Sequence, residues 1–168
     1  DAADYSSGLA LFAGKPNVIT TRTFSKIYGL PALRLGYAMA EPELIDFLNR
    51  VRGPFNLTMP ALQAGLAALQ DQSFVAFSKA HNQHWRLQLS QDLSQLGYQI
   101  WPSMGNFFMV EMASQAEAER LDQFLQQKGI MVRKIEAYDL PNFLRITIGD
   151  QAANLKLLKL LKKFANEK

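Results

Sequence analysis

Thr21-Arg22-Thr23-Phe24-Ser25-Lys26-Ile27-Tyr28-Gly29-Leu30-Pro31-Ala32-Leu33-Arg34-Leu35-Gly36-Tyr37 is the stretch of this chain richest in reactive side chains, and its flanks set the fold class. Before it, Pro16 to Thr21 is a turn signal followed by β-branched residues, which predicts a short strand ending near Thr21. After it, Leu33 to Ala40 is an apolar run interrupted by Arg34, short enough for a buried strand. Glu41-Pro42-Glu43 then reads as a helix start with Pro in the first turn. Strand, loop, strand and helix in that order predict α/β or α+β and exclude an all-α fold.

Working outward, the first helix runs through Leu44, Phe47 and Leu48 and stops at Gly53-Pro54. Thr58-Met59-Pro60 opens another, with Leu62, Leu66 and Leu69 at helical spacing. Ser73 is the expected cap of a long amphipathic helix marked by Phe74, Phe77, Trp85, Leu89, Leu93 and Leu96 and closed by Gly97. Tyr98 to Trp101 and Phe107 to Met112 read as two strands around a turn. Ser114 and Glu117 have capping-box spacing ahead of a helix ending at Gly129. Ile130 to Ile135 and Phe143 to Ile148 are strand candidates, and Asp150 is the expected N-cap of a Leu/Lys helix. The organisation expected is a front part over residues 1–72, a connecting helix over 73–96 and a compact back part over 97–168.

The chain has 168 residues, Lys+Arg 18 against Asp+Glu 15, and 48% hydrophobic residues, the composition of an ordinary globular chain. A net charge of +3 is far from a nucleic-acid-binding composition. With no Cys, a disulfide framework, a thiolate nucleophile and Cys-based metal sites are excluded, and the cytoplasm is the expected compartment. No apolar run reaches the roughly 18 residues of a membrane span, and no signal peptide is visible. The chain begins with Asp rather than Met, so a fragment or a processed product is expected. His81 and His84 lack a third ligand and are expected to face solvent; no metal site is expected. The lysines at 156, 159, 162 and 163 are expected to form the solvated face of the last helix, with Leu157, Leu160, Leu161 and Phe164 packed beneath.

The opening stretch carries the chemistry. A Lys between apolar neighbours at a strand end can have its ammonium desolvated, which frees the amine for Schiff-base formation. The hydroxyls of Thr23 and Ser25 and the guanidinium of Arg34 can converge on a phosphate, because Arg offers its oxygens a planar fork of donors. A phosphate anchor beside a nucleophilic Lys26 describes a pyridoxal phosphate site. The competing reading is a surface turn with an exposed Lys. A Walker A loop is excluded, since Gly-x-x-x-x-Gly-Lys-[Ser/Thr] is absent.

Arg22-Thr23-Phe24-Ser25-Lys26 with Gly29-Leu30, Leu33-Arg34 and Gly36-Tyr37 resembles the cofactor-lysine segment of the histidinol-phosphate aminotransferases, within the fold-type-I pyridoxal-phosphate enzymes. The resemblance continues through Arg52-Gly53-Pro54-Phe55-Asn56-Leu57, Gly105-Asn106-Phe107-Phe108, Gly129-Ile130-Met131-Val132-Arg133 and Leu144-Arg145-Ile146-Thr147-Ile148-Gly149. It implies an α/β fold of fold type I, with part of a large domain built on a parallel sheet and a small C-terminal α+β domain. Lys26 would form the Schiff base with pyridoxal 5'-phosphate and shuttle the substrate proton; Thr23, Ser25 and Arg34 would bind the cofactor phosphate. Arg145 would take the substrate carboxylate or an equivalent anion and Arg133 its phosphate-bearing end. The implied reaction is transamination between histidinol phosphate and 2-oxoglutarate in histidine biosynthesis, by a homodimer.

Read without the family, both arginines lie in or beside apolar strands and need anions, or else ion pairs with Glu111 or Glu136. The resemblance covers roughly the C-terminal half of a longer enzyme; the Asp that would meet the pyridine nitrogen lies upstream of the segment matched. Two alternatives stay open: a threonine-phosphate decarboxylase or another fold-type-I aminotransferase, and a noncatalytic fragment acting as a folded or interface domain. Nucleic acid and membrane are not expected partners.

Overall fold

The computed structural model describes residues 4–166, and the chain divides into two compact units between Lys79 and Ala80. The first unit opens with a five-residue helix that the sequence did not signal, α1 (Gly8–Phe12), whose cap is the Ser7 hydroxyl accepting the Ala10 N–H at 3.3 Å. Strands β1 (Thr20–Thr23) and β2 (Gly36–Met39) pair antiparallel, Thr20 opposite Met39 and Thr23 opposite Gly36. This corrects two expectations. Both strands begin later than the sequence suggested, and they pair with each other antiparallel, where the resemblance implied strands of a parallel sheet. The cause lies in the connection: Pro31–Leu33 form a 3-10 turn and Arg34 adopts a left-handed φ of 52°, so the second strand cannot start before Leu35. With only that turn between them, no crossover helix is present to carry the chain back for parallel pairing.

Helix α2 (Pro42–Val51) starts on Pro42, and α3 (Met59–Gln70) is capped by the Thr58 hydroxyl, which accepts the Ala61 N–H at 3.3 Å. Phe24, Leu35 and Ala61 form the small apolar core of this unit. The leucines that mark the period of α3 turn outward: Leu62, Leu66 and Leu69 are exposed, and the face turned inward carries Ala61 and Gly65. Gly65 leaves the space that the Leu35 side chain occupies. Helix α4 (Gln72–Gln95) contributes its first turns to this unit and the rest to the second. Its cap is Asp71, not Ser73. The Asp71 carboxylate accepts both the Ser73 hydroxyl at 2.6 Å and the Phe74 N–H at 2.9 Å, which holds its pKa below the usual carboxylate value.

The second unit is a four-stranded antiparallel sheet in the order β3-β4-β6-β5, formed by β3 (Gln99–Trp101), β4 (Phe107–Glu111), β5 (Arg133–Ile135) and β6 (Leu140–Thr147). Helices α5 (Gln115–Gln127) and α6 (Gln151–Asn166) complete it. Alternation puts Phe108, Val110, Leu144 and Ile146 on one face, where they join Trp85, Leu89 and Leu93 of α4, Leu121 and Leu125 of α5, and Leu157, Leu161 and Phe164 of α6 in one buried cluster. The strand expected over 130–135 begins only at Arg133, and the last strand starts three residues before Phe143, at Leu140.

The caps follow the sequence closely. Glu117 N–H donates to the Ser114 hydroxyl and the Glu117 carboxylate reaches back to the Ala113 N–H; Asp150 accepts the Ala153 N–H at 2.8 Å. At the ends of α4 and α5, Gly97 and Gly129 take positive φ, and the next residue in each case donates back to the carbonyl of Leu93 or Leu125. These are Schellman closures, which need a residue free of the Cβ penalty.

Candidate functional site

The loop between β1 and β2 is fastened at its base by Phe24. Its N–H donates to the Leu35 carbonyl at 3.1 Å, its carbonyl accepts the Leu30 N–H at 3.0 Å, and its buried ring lies 4.9 Å from Tyr28 and 6.0 Å from Tyr37. On this base the loop gathers its donors. Thr23 Oγ1 accepts the Ser25 N–H at 3.0 Å, which leaves the Thr23 hydroxyl proton to point elsewhere. Arg34 Nη1 donates to the Pro31 carbonyl at 2.7 Å and reaches Ser25 Oγ at 3.5 Å. The left-handed backbone of Arg34 costs about 1 kcal/mol or more, and its effect is to aim the guanidinium back across the loop at Ser25.

Two hydroxyls and a guanidinium therefore share one small loop, a donor set that suits a dianionic phosphate. Lys26 follows Ser25, in a turn closed by the Gly29 N–H on the Lys26 carbonyl at 2.9 Å. Lys26 is exposed, which corrects the expectation that its apolar neighbours desolvate it: Ile27 is exposed as well, and the loop turns both side chains outward. The donors and the lysine still fit a phosphate-bearing aldehyde, with the amine at the edge of the loop that carries the donors.

In the second unit, Arg133 and Arg145 are direct cross-strand partners of β5 and β6. Arg145 is half-buried, its Nε has no hydrogen-bond partner among the described residues, and its Cζ lies 5.0 Å from the centre of the Phe107 ring. Arg133 is exposed, so burial does not oblige it to find an anion, contrary to the sequence argument; it stands on a short edge strand. Neither forms the ion pair that was the competing expectation. Glu111 accepts Trp101 Nε1 at 2.9 Å and Glu136 pairs with Lys134 at 3.5 Å, and among the described residues no acidic group meets either arginine. The Pro54-Phe55-Asn56 segment is a loop in which Arg52 holds Asn56 Oδ1 at 3.1 Å and Phe55 is 99% exposed.

His81 departs from its expected role. Its Nε2 donates to the Gly149 carbonyl at 2.9 Å and it is half-buried, whereas His84 is exposed. With Asn82 and Arg86 on the same helix it forms a polar stripe beside the buried Trp85 and Leu89, and this stripe holds the loops that flank β4 and β6. The signal available in the sequence was polar residues at i, i+1 and i+5 alongside an apolar helical stripe. Among the described residues no group of His, Asp and Glu is arranged to hold a metal, and no helix is long and apolar enough to cross a membrane.

Residues 1–161 match the family described as aminotransferase class I and II. The histidinol-phosphate aminotransferase of Ruegeria sp. (strain TM1040) is 45% identical over 160 residues, covering 95% of this chain and 44% of that protein. The crystal structure of histidinol-phosphate aminotransferase from Sinorhizobium meliloti in complex with pyridoxal-5'-phosphate superimposes with a TM-score of 0.82 at 28% identity, over 92% of this chain and 42% of the other. The L-threonine-O-3-phosphate decarboxylase of Porphyromonas gingivalis shares the fold, with a TM-score of 0.76 at 24% identity over 95% of this chain and 50% of the other. The chain thus spans less than half the length of the Ruegeria relative. The α/β fold of fold type I expected from the motifs agrees with these solved structures. By the match over residues 1–161, the chain belongs to the aminotransferase class I and II family.

Proposed function

We propose that this chain is the lysine-bearing, C-terminal part of a pyridoxal-phosphate-dependent aminotransferase acting on histidinol phosphate, with 2-oxoglutarate as amino acceptor, in histidine biosynthesis. The observation that carries the proposal is the loop in which Thr23, Ser25 and Arg34 present phosphate donors immediately beside Lys26. The substrate assignment is supported by the 45% identity to the Ruegeria enzyme. Residues 1–72 would belong to the large cofactor domain, 73–96 to the connecting helix and 97–168 to the small domain of a cytoplasmic homodimer.

When bound, pyridoxal phosphate supplies an electron sink that stabilises negative charge at the substrate Cα. Thr23, Ser25 and Arg34 would hold its phosphate, and Lys26 Nζ would hold its aldehyde carbon. As a free amine, Lys26 Nζ would take the proton from the substrate Cα, a task that needs the neutral amine within hydrogen-bond reach of that carbon's proton. Arg145 binds the substrate carboxylate or the equivalent anionic group with a paired fork of N–H donors, and Arg133, opposite it in the ladder, faces the phosphate-bearing end.

The test is an assay of the enzyme at the length of its relatives, carrying these residues. Glutamate formation from histidinol phosphate and 2-oxoglutarate, lost in Lys26→Ala, is the expected result. Carbon dioxide release from threonine phosphate, with no turnover of histidinol phosphate, assigns the decarboxylase instead. No turnover of either, with an intact fold, leaves the noncatalytic reading.

A further inference from the structure

Phe107 and Arg145 alternate with the buried Phe108, Leu144 and Ile146, so they lie on the sheet face opposite the apolar core. On that face the Arg145 guanidinium lies against the Phe107 ring, 5.0 Å from its centre, and among the described residues its Nε has no hydrogen-bond partner. The ring also meets Gly105. A Cβ added to Gly105 would come within 3.3 Å of Phe107 Cε1, so the ring packs directly on the Gly105 backbone.

Gly105 is in turn tied to helix α4. The Asn82 side-chain amide donates to the Gly105 carbonyl at 3.1 Å, and Arg86 donates to the Ser103 carbonyl two residues earlier. Ser103 closes the turn by accepting the Gly105 N–H at 3.1 Å. The far side of the same end is held as well: Ile148 N–H donates to the Asn106 carbonyl at 2.9 Å, and the Gly149 carbonyl accepts from His81 and Asn154. An uninterrupted series of contacts therefore runs from Asn82 through Gly105 and Phe107 to the guanidinium of Arg145.

We propose that Asn82 and Phe107 are positioning residues for Arg145: Asn82 fixes the Gly105 turn, the turn fixes the Phe107 ring, and the ring orients the guanidinium toward a carboxylate. The proposal rests on the anion-binding role given to Arg145 above and adds to it the residues that direct it. A guanidinium packed against a ring keeps N–H donors free for an incoming carboxylate, and the contact restricts side-chain rotation before the ligand arrives.

The test uses the 15N-labelled chain and acetate as the carboxylate probe. The Arg145 Nε–Hε resonance, assigned by its loss in Arg145→Lys, is expected upfield of the other arginines because of the Phe107 ring current, and to move on acetate titration. Phe107→Tyr keeps both properties. Phe107→Leu loses the ring-current displacement and weakens acetate binding by about two- to fivefold, the worth of an exposed cation–π contact. Asn82→Ala, which leaves the ring chemistry in place, shows the same loss in smaller measure. If circular dichroism finds Phe107→Leu unfolded, Asn82→Ala decides alone. Wild-type acetate affinity in the folded variants overturns the positioning role and leaves the anion role standing. An Arg145 resonance that acetate does not move in the wild type removes the anion role, and the positioning role with it.

Discussion

Arg133 and Arg145 face each other as register partners across the β5–β6 ladder, two like charges at directly opposed positions. Cross-strand pairs on one face of a sheet are close neighbours, and like charges so placed cost stability unless something of opposite sign lies between them. Among the described residues nothing acidic does, because Glu136 is engaged by Lys134 and Glu111 by Trp101. The pair is therefore an arrangement whose repulsion a bound anion would relieve.

Replacing Arg133 with Gln should stabilise the second unit by about 0.2–1 kcal/mol in low-salt buffer, the usual worth of a cross-strand pair. Added phosphate should raise the thermal midpoint of the wild type more than that of Arg133→Gln. Differential scanning calorimetry of the two proteins with and without phosphate checks this, and an equal response in both contradicts an anion between the arginines.

Gly36 should resist enlargement. A Cβ there would lie 2.8 Å from the Arg22 carbonyl oxygen of the paired strand, and backbone cannot move aside as a flexible side chain can. Gly36→Ala is expected to cost about 1–3 kcal/mol in urea denaturation, as overpacking does. Gly53→Ala, with nothing within 4 Å, should stay within about 0.5 kcal/mol of wild type.

The leucines of the two units should differ sharply. Leu161, fully buried in the second unit, should lose about 2–5 kcal/mol on truncation to Ala. Leu66, 56% exposed on α3, should lose less than about 0.5 kcal/mol, and denaturation of the two variants measures both.

Tyr98 gives the second unit an alkaline limit. Burial first, and the Glu117 carboxylate second, push its hydroxyl up to about 12, and that hydroxyl donates to the Leu161 carbonyl at 2.8 Å. An unfolded tyrosine ionises near 10, so the neutral form is favoured in the folded state. The contribution is complete below about pH 10 and is lost as pH rises through the folded value near 12. Tyr98→Phe should be less stable than wild type at pH 8 by about 0.5–1.5 kcal/mol, and the difference should shrink between pH 10 and 12. Paired urea titrations across that range check the sign.

Local chemistry was the legible part of the fold. Ser114 with Glu117, Asp150, Gly97 and Gly129 each act within a few residues of themselves, and each stands where its spacing placed it. What depended on distant partners was harder to read. The spacing of Leu62, Leu66 and Leu69 gave the helix correctly but not its inward face, because Leu35, a residue distant in sequence, fills the space at Gly65. The Asp71 cap was missed in favour of Ser73, since both residues suit the task and only the geometry shows that Ser73 donates to Asp71.

The site divides in the same way. Thr23, Ser25 and Arg34 lie in one short stretch, and the structure brings the Ser25 hydroxyl and the Arg34 guanidinium to 3.5 Å. The contact of Phe107 with Arg145 joins residues 38 positions apart through strand register, which no local pattern announces. The exposure of Lys26 was likewise beyond a reading of its neighbours in sequence.

The most direct measurement on Lys26 is an absorbance spectrum of the chain with added pyridoxal phosphate, followed by borohydride reduction and peptide mapping. A near-visible band, with the reduced label on Lys26 and absent in Lys26→Ala, is the expected result. Label spread over surface lysines such as Lys156 and Lys162, with no loss in Lys26→Ala, contradicts the claim that the loop carrying Thr23, Ser25 and Arg34 directs the cofactor to Lys26.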